Sequence, residues 1–256
     1  MNDLKKQQKH FDSISHVYTK SRNSGNHVFL KDEIWKYLFE NINFSGENLL
    51  ILEAMCGFAD SYRVIKKHAK FKFIYEAFDY SENMVNEANK QVPGLNVYHQ
   101  DVTTFFAKDK YDVIFIIGGL HHVYNHRFIV AENISNALKK NGYFINFEPT
   151  HNNLLLKKIR ERIYKNNGLF DETTERGFST NELNSMMSDV GLKPFFQFYP
   201  GLLAYILWYN PDAFPLLNIG SKSLTRNFIA FERKLWSTLL ARYFSFATFS
   251  CYKKDV

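Results

Sequence analysis

Cysteine is scarce: Cys56 and Cys251 are the two thiols in 256 residues. Two thiols give no disulfide framework and no cysteine cluster, so the reducing cytoplasm is the expected compartment and no metal is expected. Proline and glycine are sparse too, at 6 and 12, which excludes collagen-like and low-complexity chains. Long hydrophobic runs are missing. The longest nearly uncharged stretch, 194–221, has Asp212 as its one charge and is broken by Pro200, Gly201, Pro211 and Pro215, so no continuous spanning helix is expected there. The first nine residues are polar and charged, and no secretory leader is expected.

Aromatic and basic residues are in surplus. Phe 25, Tyr 15 and Trp 3 make up 17% of the chain, and 32 basic against 26 acidic residues give a net charge of +6. Base stacking, a membrane-facing surface and the codons of an AT-rich genome would each produce this aromatic content, and composition does not choose among them. Hydrophobic residues at 45% exclude a wholly disordered protein. The length suits one full-sized core. With no internal repeat and no linker, the expectation is one domain over 1–256. Its parts are N-terminal helices over 1–45, a core over 46–150 and a less regular part over 151–256.

Residues 28–41 place Phe29, Ile34, Trp35, Leu38 and Phe39 at helical spacing, which predicts an amphipathic helix. NLLILEAM is a short apolar run and reads as a buried parallel strand. The alternation continues with a helix over 61–68, a strand over 72–78 and a helix over 82–90, for which Ser81 is the N-cap. LNVYHQ and YDVIFIIGG are strands, followed by a helix over 127–138 and a strand over 143–148. Beyond these come helices over 153–165, 180–190 and 223–242, a strand over 194–199, and FSFATFSCY as the last strand. Strand–helix alternation predicts a parallel sheet covered on both faces, with its ligand at the carboxyl ends of the strands.

Those strand ends carry chemistry. ILEAMCGFADS runs from a strand through a small-residue loop into a helix, where free N–H groups meet a ligand. Gly57 is present, but Met55 and Ala59 stand where a glycine-rich fingerprint has its first and third glycines. Asp79, 26 residues after Glu53, can accept both hydroxyls of a ribose. Asp101 in HQDVTTF can accept from an adenine amino group. Each acid also reads as a helix cap or a surface charge; the ordered series argues for a site.

On LEAMCGFAD, FDYSENMVNEA, QDVTTF, YDVIFIIGGLHHV and ALKKNGYFINFEP, the sequence resembles the class I S-adenosylmethionine-dependent methyltransferases. The resemblance covers about 10–150 well and 178–200 more loosely. It implies an α/β, Rossmann-like, doubly wound fold: a mostly parallel seven-stranded sheet with the last strand antiparallel, N-terminal helices and a helical, aromatic insertion. The implied cofactor is S-adenosyl-L-methionine, leaving as S-adenosyl-L-homocysteine. Glu53, Met55 and Gly57 would line its methionine part and Asp79 its ribose. Tyr80 and Met84 would flank the adenine, with Asp101 and Val102 at its amino group, and the Gly118 backbone would meet the cofactor's own amino group. Tyr18, in FDSISHVYTKSR, corresponds to an aromatic that closes over the cofactor, and 1–45 would form the lid.

An activated methyl donor leaves the protein to hold a nucleophile in line and, for a hydroxyl acceptor, to take up a proton. Histidine suits that task. His122 follows the fourth strand, His121 adjoins it, and His151 lies past the fifth; each also reads as a loop-shaping or core residue. Lys157 and Arg160, in NNLLLKKIRERIYKN, and Tyr205, in LLAYILWYNPDAFPLL, are the candidate substrate contacts. They suggest O-methylation of a small polar or anionic acceptor, phosphoryl, phosphoramidate, sugar or nucleotide-linked, as in surface polysaccharide or capsule tailoring. An RNA base, a lipid or quinone headgroup, and a non-catalytic cofactor-binding role stand as alternatives. Nucleic acid is the less expected partner, since GGLHHV stands where base-nitrogen methyltransferases carry an amide-type signature. No membrane span is expected, peripheral membrane contact stays open, and so does the choice between monomer and homodimer.

Overall fold

In the computed structural model, the described residues are 3–44, 46–166, 175–211, 215–218 and 220–255. Two helices, α1 (Asp3–Arg22) and α2 (Gly25–Asn41), precede β1 (Asn48–Ala54). The alternation then runs through α3 (Ser61–His68), β2 (Lys72–Asp79), α4 (Glu82–Gln91), β3 (Asn96–His99), β4 (Tyr111–Ile117), a 3₁₀ segment (Leu120–His126), α5 (Arg127–Ala137) and β5 (Leu138–Pro149). After it come α6 (Leu154–Asn166), α7 (Thr180–Asp189), β6 (Leu192–Phe198), α8 (Leu203–Trp208), α9 (Lys222–Arg233), α10 (Leu239–Phe244) and β7 (Ala247–Lys254).

The strands form one sheet in the order β3-β2-β1-β4-β5-β7-β6. All neighbouring pairs are parallel except those of β7, which runs antiparallel to both β5 and β6. This is the fold the motifs imply. β1 and β4 read as unbroken apolar runs because both faces are covered: Ile51, Leu52, Ile114 and Ile116 are fully buried. The chain leaves β1 in one direction along the sheet and reaches β4 on its other side, so the crevice between their carboxyl ends is the topological switch point.

Most of the aromatic surplus is core. On one face Trp35 packs against Phe115 and Phe249, with ring centroids 5.3 and 5.7 Å apart, and Phe198 stacks on Phe249 at 5.0 Å. The other face holds Phe78, Phe105, Phe144 and Tyr252 with Leu183 and Met187 of α7. All three tryptophans, Trp35, Trp208 and Trp236, are buried, which leaves none for stacking on bases.

Two expected elements differ. The single helix over 223–242 is two helices, because the chain turns between them to bury Trp236. The Trp236 carbonyl accepts from Tyr199 N at 2.7 Å, and Thr238 then caps α10 by accepting from Ala241 N. β5 starts at Leu138 instead of 143, taking a left-handed residue at Asn141 (φ 63°) and a register shift against β4.

Candidate functional site

At the carboxyl ends of β1, β2, β4 and β5 the sheet opens into a cavity of about 580 Å³, within the range of small-ligand sites. Its floor is the loop from β1 to α3. Met55, Gly57 and Ala59 all adopt left-handed φ values of 56°, 55° and 55°, so the backbone has a glycine-type conformation although two of the three positions carry side chains. That costs roughly 1 kcal/mol or more at each non-glycine. The loop is pinned by neighbours: Cys56 N donates to Phe78 O (3.0 Å) and Gly57 N to Asp79 Oδ2 (2.8 Å).

Asp79 Oδ1 also accepts from Ser81 N at 2.9 Å, while Ser81 Oγ caps α4 through Met84 N. Burial raises the Asp79 carboxyl above the ordinary range, against the pull of those backbone N–H groups. Glu53 is more extreme. Burial pushes it up to about 7, although the Tyr75 hydroxyl donates to it and Lys31 lies near. Lys31 itself pairs with Asp60. Burial acts against ionisation of Asp60, and Lys31 reverses this, holding its carboxyl below the usual range. Asp101 closes the row, with Oδ1 accepting from Thr103 N and Oγ1, both at 2.8 Å.

The opposite side is built by Glu148 at the end of β5. Its Oε1 accepts from Gly119 N (3.1 Å) and Leu120 N (2.8 Å), and its Oε2 from His121 N (3.2 Å) and His121 Nδ1 (2.7 Å). One buried carboxylate thus shapes the whole turn after β4. His122 Nδ1 lies 3.3 Å from Glu175 Oε1, to which Gln7 Nε2 of α1 also reaches at 3.5 Å. Burial alone would lower the His122 imidazole, but Glu175, aided by Glu148 and Asp79, holds it above the ordinary histidine range. His121 is lowered instead, by burial and by His122, its ring centroid 3.9 Å away. His121, His122 and Glu175 bring one donor atom each within 4.8 Å of one another, a set that suits an imidazole-binding metal; each histidine already has a carboxylate partner.

The remaining wall is apolar and aromatic. Tyr205 stacks on Tyr209 at 4.7 Å, Phe147 meets both edge-on, and Ile163, Ile206 and Leu217 complete it. Arg22 Nη1 donates to Tyr209 O at 2.7 Å. α1 covers the opening with Leu4, Gln7 and Gln8, and Gln8 Nε2 donates to Tyr80 O at 3.2 Å.

The cavity gathers Glu53, Met55, Gly57, Asp79, Tyr80, Met84, Asp101, Val102, Gly118, His121, His122, Arg160 and Tyr205. Two expected residues with described side chains, Lys157 and His151, are not in that lining. Lys157 is at the surface, 3.9 Å from Glu161. His151 is carried past the cavity: β5 continues through Pro149, Thr150 bridges Phe178, and His151 N donates to Phe178 O. Burial, with Arg160 and Lys157, lowers its imidazole to about 4. Tyr18 lies on α1, with its side chain outside the described set. Arg160 does line the cavity, yet it is tied to the protein, Nη2 donating to Thr150 O at 2.8 Å and to Phe246 O. Sequence reasoning missed Glu175, Lys31, Asp60 and Tyr209 as lining residues. Asp60 ends the first motif, LEAMCGFAD, and Tyr209 lies in the segment that supplied Tyr205, whereas Glu175 and Lys31 belong to no motif.

Residues 52–144 match a family described as a methyltransferase domain. No curated protein matches the chain in sequence. Among solved structures, a Thermotoga maritima S-adenosylmethionine-dependent methyltransferase is similar at 16% identity and a TM-score of 0.62, covering 96% of this chain and 99% of that one. A Haloferax volcanii chain, solved in complex with the Trm112 methyltransferase activator, gives 16% and 0.61, with 96% and 98% covered. Geranyl diphosphate C-methyltransferase from Streptomyces coelicolor A3(2) gives 12% and 0.58, with 88% and 79% covered. At these identities the likeness is one of fold.

Proposed function

Because the chain carries a class I S-adenosylmethionine-dependent methyltransferase domain, we propose that it methylates a hydroxyl group, with His122 as general base and Glu175 as the carboxylate that positions it. The observation that carries this reading is the pairing of half-buried His122 with buried Glu175 on the same cavity as Glu53, Asp79 and Asp101.

The residues present fit the cofactor. Successive strand ends offer carboxylates, the first loop has the backbone conformation that lets a ligand approach closely, and Tyr80, Met84 and Val102 form an apolar slot beside Asp101. Asp79 keeps lone pairs for a diol after accepting from Gly57 and Ser81. Glu53 and the Gly118 backbone, at φ 68°, suit the amino-acid end. S-adenosylmethionine supplies an electrophilic methyl group on a sulfonium.

The protein's part is positioning and proton handling. In the tautomer with its proton on Nδ1, the nitrogen 3.3 Å from Glu175, His122 keeps Nε2 as an acceptor for the proton of the acceptor hydroxyl. The proton ends on the imidazole, and Glu175 steadies the resulting cation. His121, locked on Glu148, holds the turn in place. Leu4, Gln7 and Gln8 of α1 shield the cavity from water, which strengthens every charge interaction inside it.

An anionic acceptor loses its two supports, since Lys157 is remote and Arg160 is engaged by carbonyls. The lining of Tyr205, Ile163, Ile206 and Leu217 favours an acceptor with an apolar body. A surface-polysaccharide role draws no support from this wall.

Calorimetric titration with S-adenosylmethionine tests the cofactor, and absence of binding at millimolar concentration would end the proposal. Transfer of a labelled methyl group to hydroxyl compounds of a cell extract tests the base. His122→Ala should lower that transfer about 10²-fold, the usual contribution of a general base, with cofactor binding retained. Unchanged transfer removes His122 from the reaction.

A further inference from the structure

One outer face combines exposed apolar side chains with positive charge. α6 buries Leu156, Arg160 and Tyr164 and turns Leu154 and Leu155 to solvent, 78% and 64% exposed. α10 exposes Leu239, Leu240, Tyr243 and Phe244. Side-chain bonds make the two helices neighbours: Asn152 Nδ2 donates to Arg242 O and Asn153 Nδ2 to Tyr243 O, both at 2.7 Å. The exposed surface reaches the cavity mouth, since Ile159, one turn beyond Leu155, is 38% exposed and also lines the cavity.

Charge on this face is predominantly positive. Lys157, Lys158, Arg162 and Lys165 point outward from α6, and Glu161 is the acid among them. Water is a poor neighbour for so many clustered leucines and aromatics. A second copy of the chain is a poor one too, because an isologous contact would press Lys158 and Arg162 near their own symmetry mates. An anionic lipid surface satisfies both features, taking apolar side chains at the acyl boundary and basic ones among the headgroups.

We propose that the α6–α10 face docks onto a bilayer surface containing anionic lipids. Among the described residues no helix is long and apolar enough to cross a membrane, so this is contact with the surface. On the methyltransferase reading, the cavity mouth at Ile159 then meets the bilayer, and the acceptor is a membrane amphiphile whose hydroxyl end enters while its apolar body stays at the interface.

Flotation of the full chain with vesicles is the test, using phosphatidylcholine alone and phosphatidylcholine mixed with phosphatidylglycerol. The protein should float with the anionic vesicles, less so as salt rises. Lys158→Glu with Arg162→Glu should weaken this at least about tenfold, from the loss of two lipid-facing charges. Leu154→Asp with Leu155→Asp should abolish it. These positions are exposed and outside the cavity, so melting temperature and cofactor binding should be unchanged in both variants. Equal flotation with the two vesicle types, or flotation that survives both double substitutions, would overturn the proposal. So would a dimer in sedimentation velocity that Leu154→Asp with Leu155→Asp dissolves while the parent chain ignores vesicles. Cofactor binding without vesicle binding defeats the docking alone; vesicle binding without cofactor binding defeats the methyltransferase reading alone.

Discussion

His122 Nδ1 and Glu175 Oε1 meet at 3.3 Å inside the cavity, joining the turn after β4 to a residue beyond α6. Glu175 raises the His122 imidazole against the effect of burial. Glu175→Gln removes that charge while keeping the size. The imidazole then loses its proton at lower pH, so the acidic limb of kcat/KM should move to lower pH. The rate on the plateau should fall, because a weaker base is also less well held. A pH–rate profile reads both effects, and a limb that stays in place would mean that Glu175 has only a structural part.

Glu53 titrates at about 7, near neutrality. A cationic amino-acid end bound beside it favours the ionised carboxylate, so binding should release a proton. Affinity for S-adenosylmethionine should therefore rise with pH through about 7, and Glu53→Gln should flatten that dependence. Calorimetry in buffers of different ionisation enthalpy counts the proton directly. Proton uptake on binding would contradict the assignment.

Arg160 and Lys157 should separate cleanly. Arg160→Ala takes the buried guanidinium donor from the Thr150 carbonyl, while Phe246 O keeps its bond from Thr150 N at 2.8 Å, which should cost about 1–3 kcal/mol and lower the melting temperature. Lys157→Ala, at the surface, should change stability by less than about 0.5 kcal/mol and leave KM for the acceptor unaltered. A strong rise in KM on removing Lys157 would restore an anionic acceptor.

Gly119 is needed for space. Its φ of −111° is open to any residue, but a Cβ there would lie 2.9 Å from Met55 Cβ and 3.0 Å from Ile116 Cγ2. Gly119→Ala should push the Met55 loop, destabilise by about 1–3 kcal/mol and weaken cofactor binding. Melting and calorimetric titration check this, and unaltered affinity would detach that loop from the cofactor.

The sheet and the cavity wall of Glu53, Asp79 and Asp101 were legible because the relevant signals are local. Strands such as β4 are covered on both faces and read as uninterrupted apolar runs, and the acids at 53, 79 and 101 stand at or just past the carboxyl ends of β1, β2 and β3. Ser81 sits one residue before its helix, and its cap is formed as expected. The wall around His122 was harder, since Glu175 reaches His122 through tertiary folding alone. Arg160 could have been placed better: Leu156, Arg160 and Tyr164 recur every four residues, which puts the arginine on the inward stripe. The break between α9 and α10 escaped detection because the helical pattern runs through Trp236, and only the core it enters decides the turn.

The position of β7 bears on how the chain is made. It follows the other six strands in chain order, yet it lies between β5 and β6, and among the described residues β6 has no other neighbour in the sheet. Until Ala247–Lys254 has left the ribosome, β5 and β6 both present open hydrogen-bonding edges. The three helices that precede it, α8 to α10, are therefore complete while the sheet beneath them is still divided. A nascent chain stalled before Ala247 is the species most prone to aggregate or to engage a chaperone, and the apolar wall of the cavity acquires its fixed shape only once Ala247–Lys254 has joined the sheet.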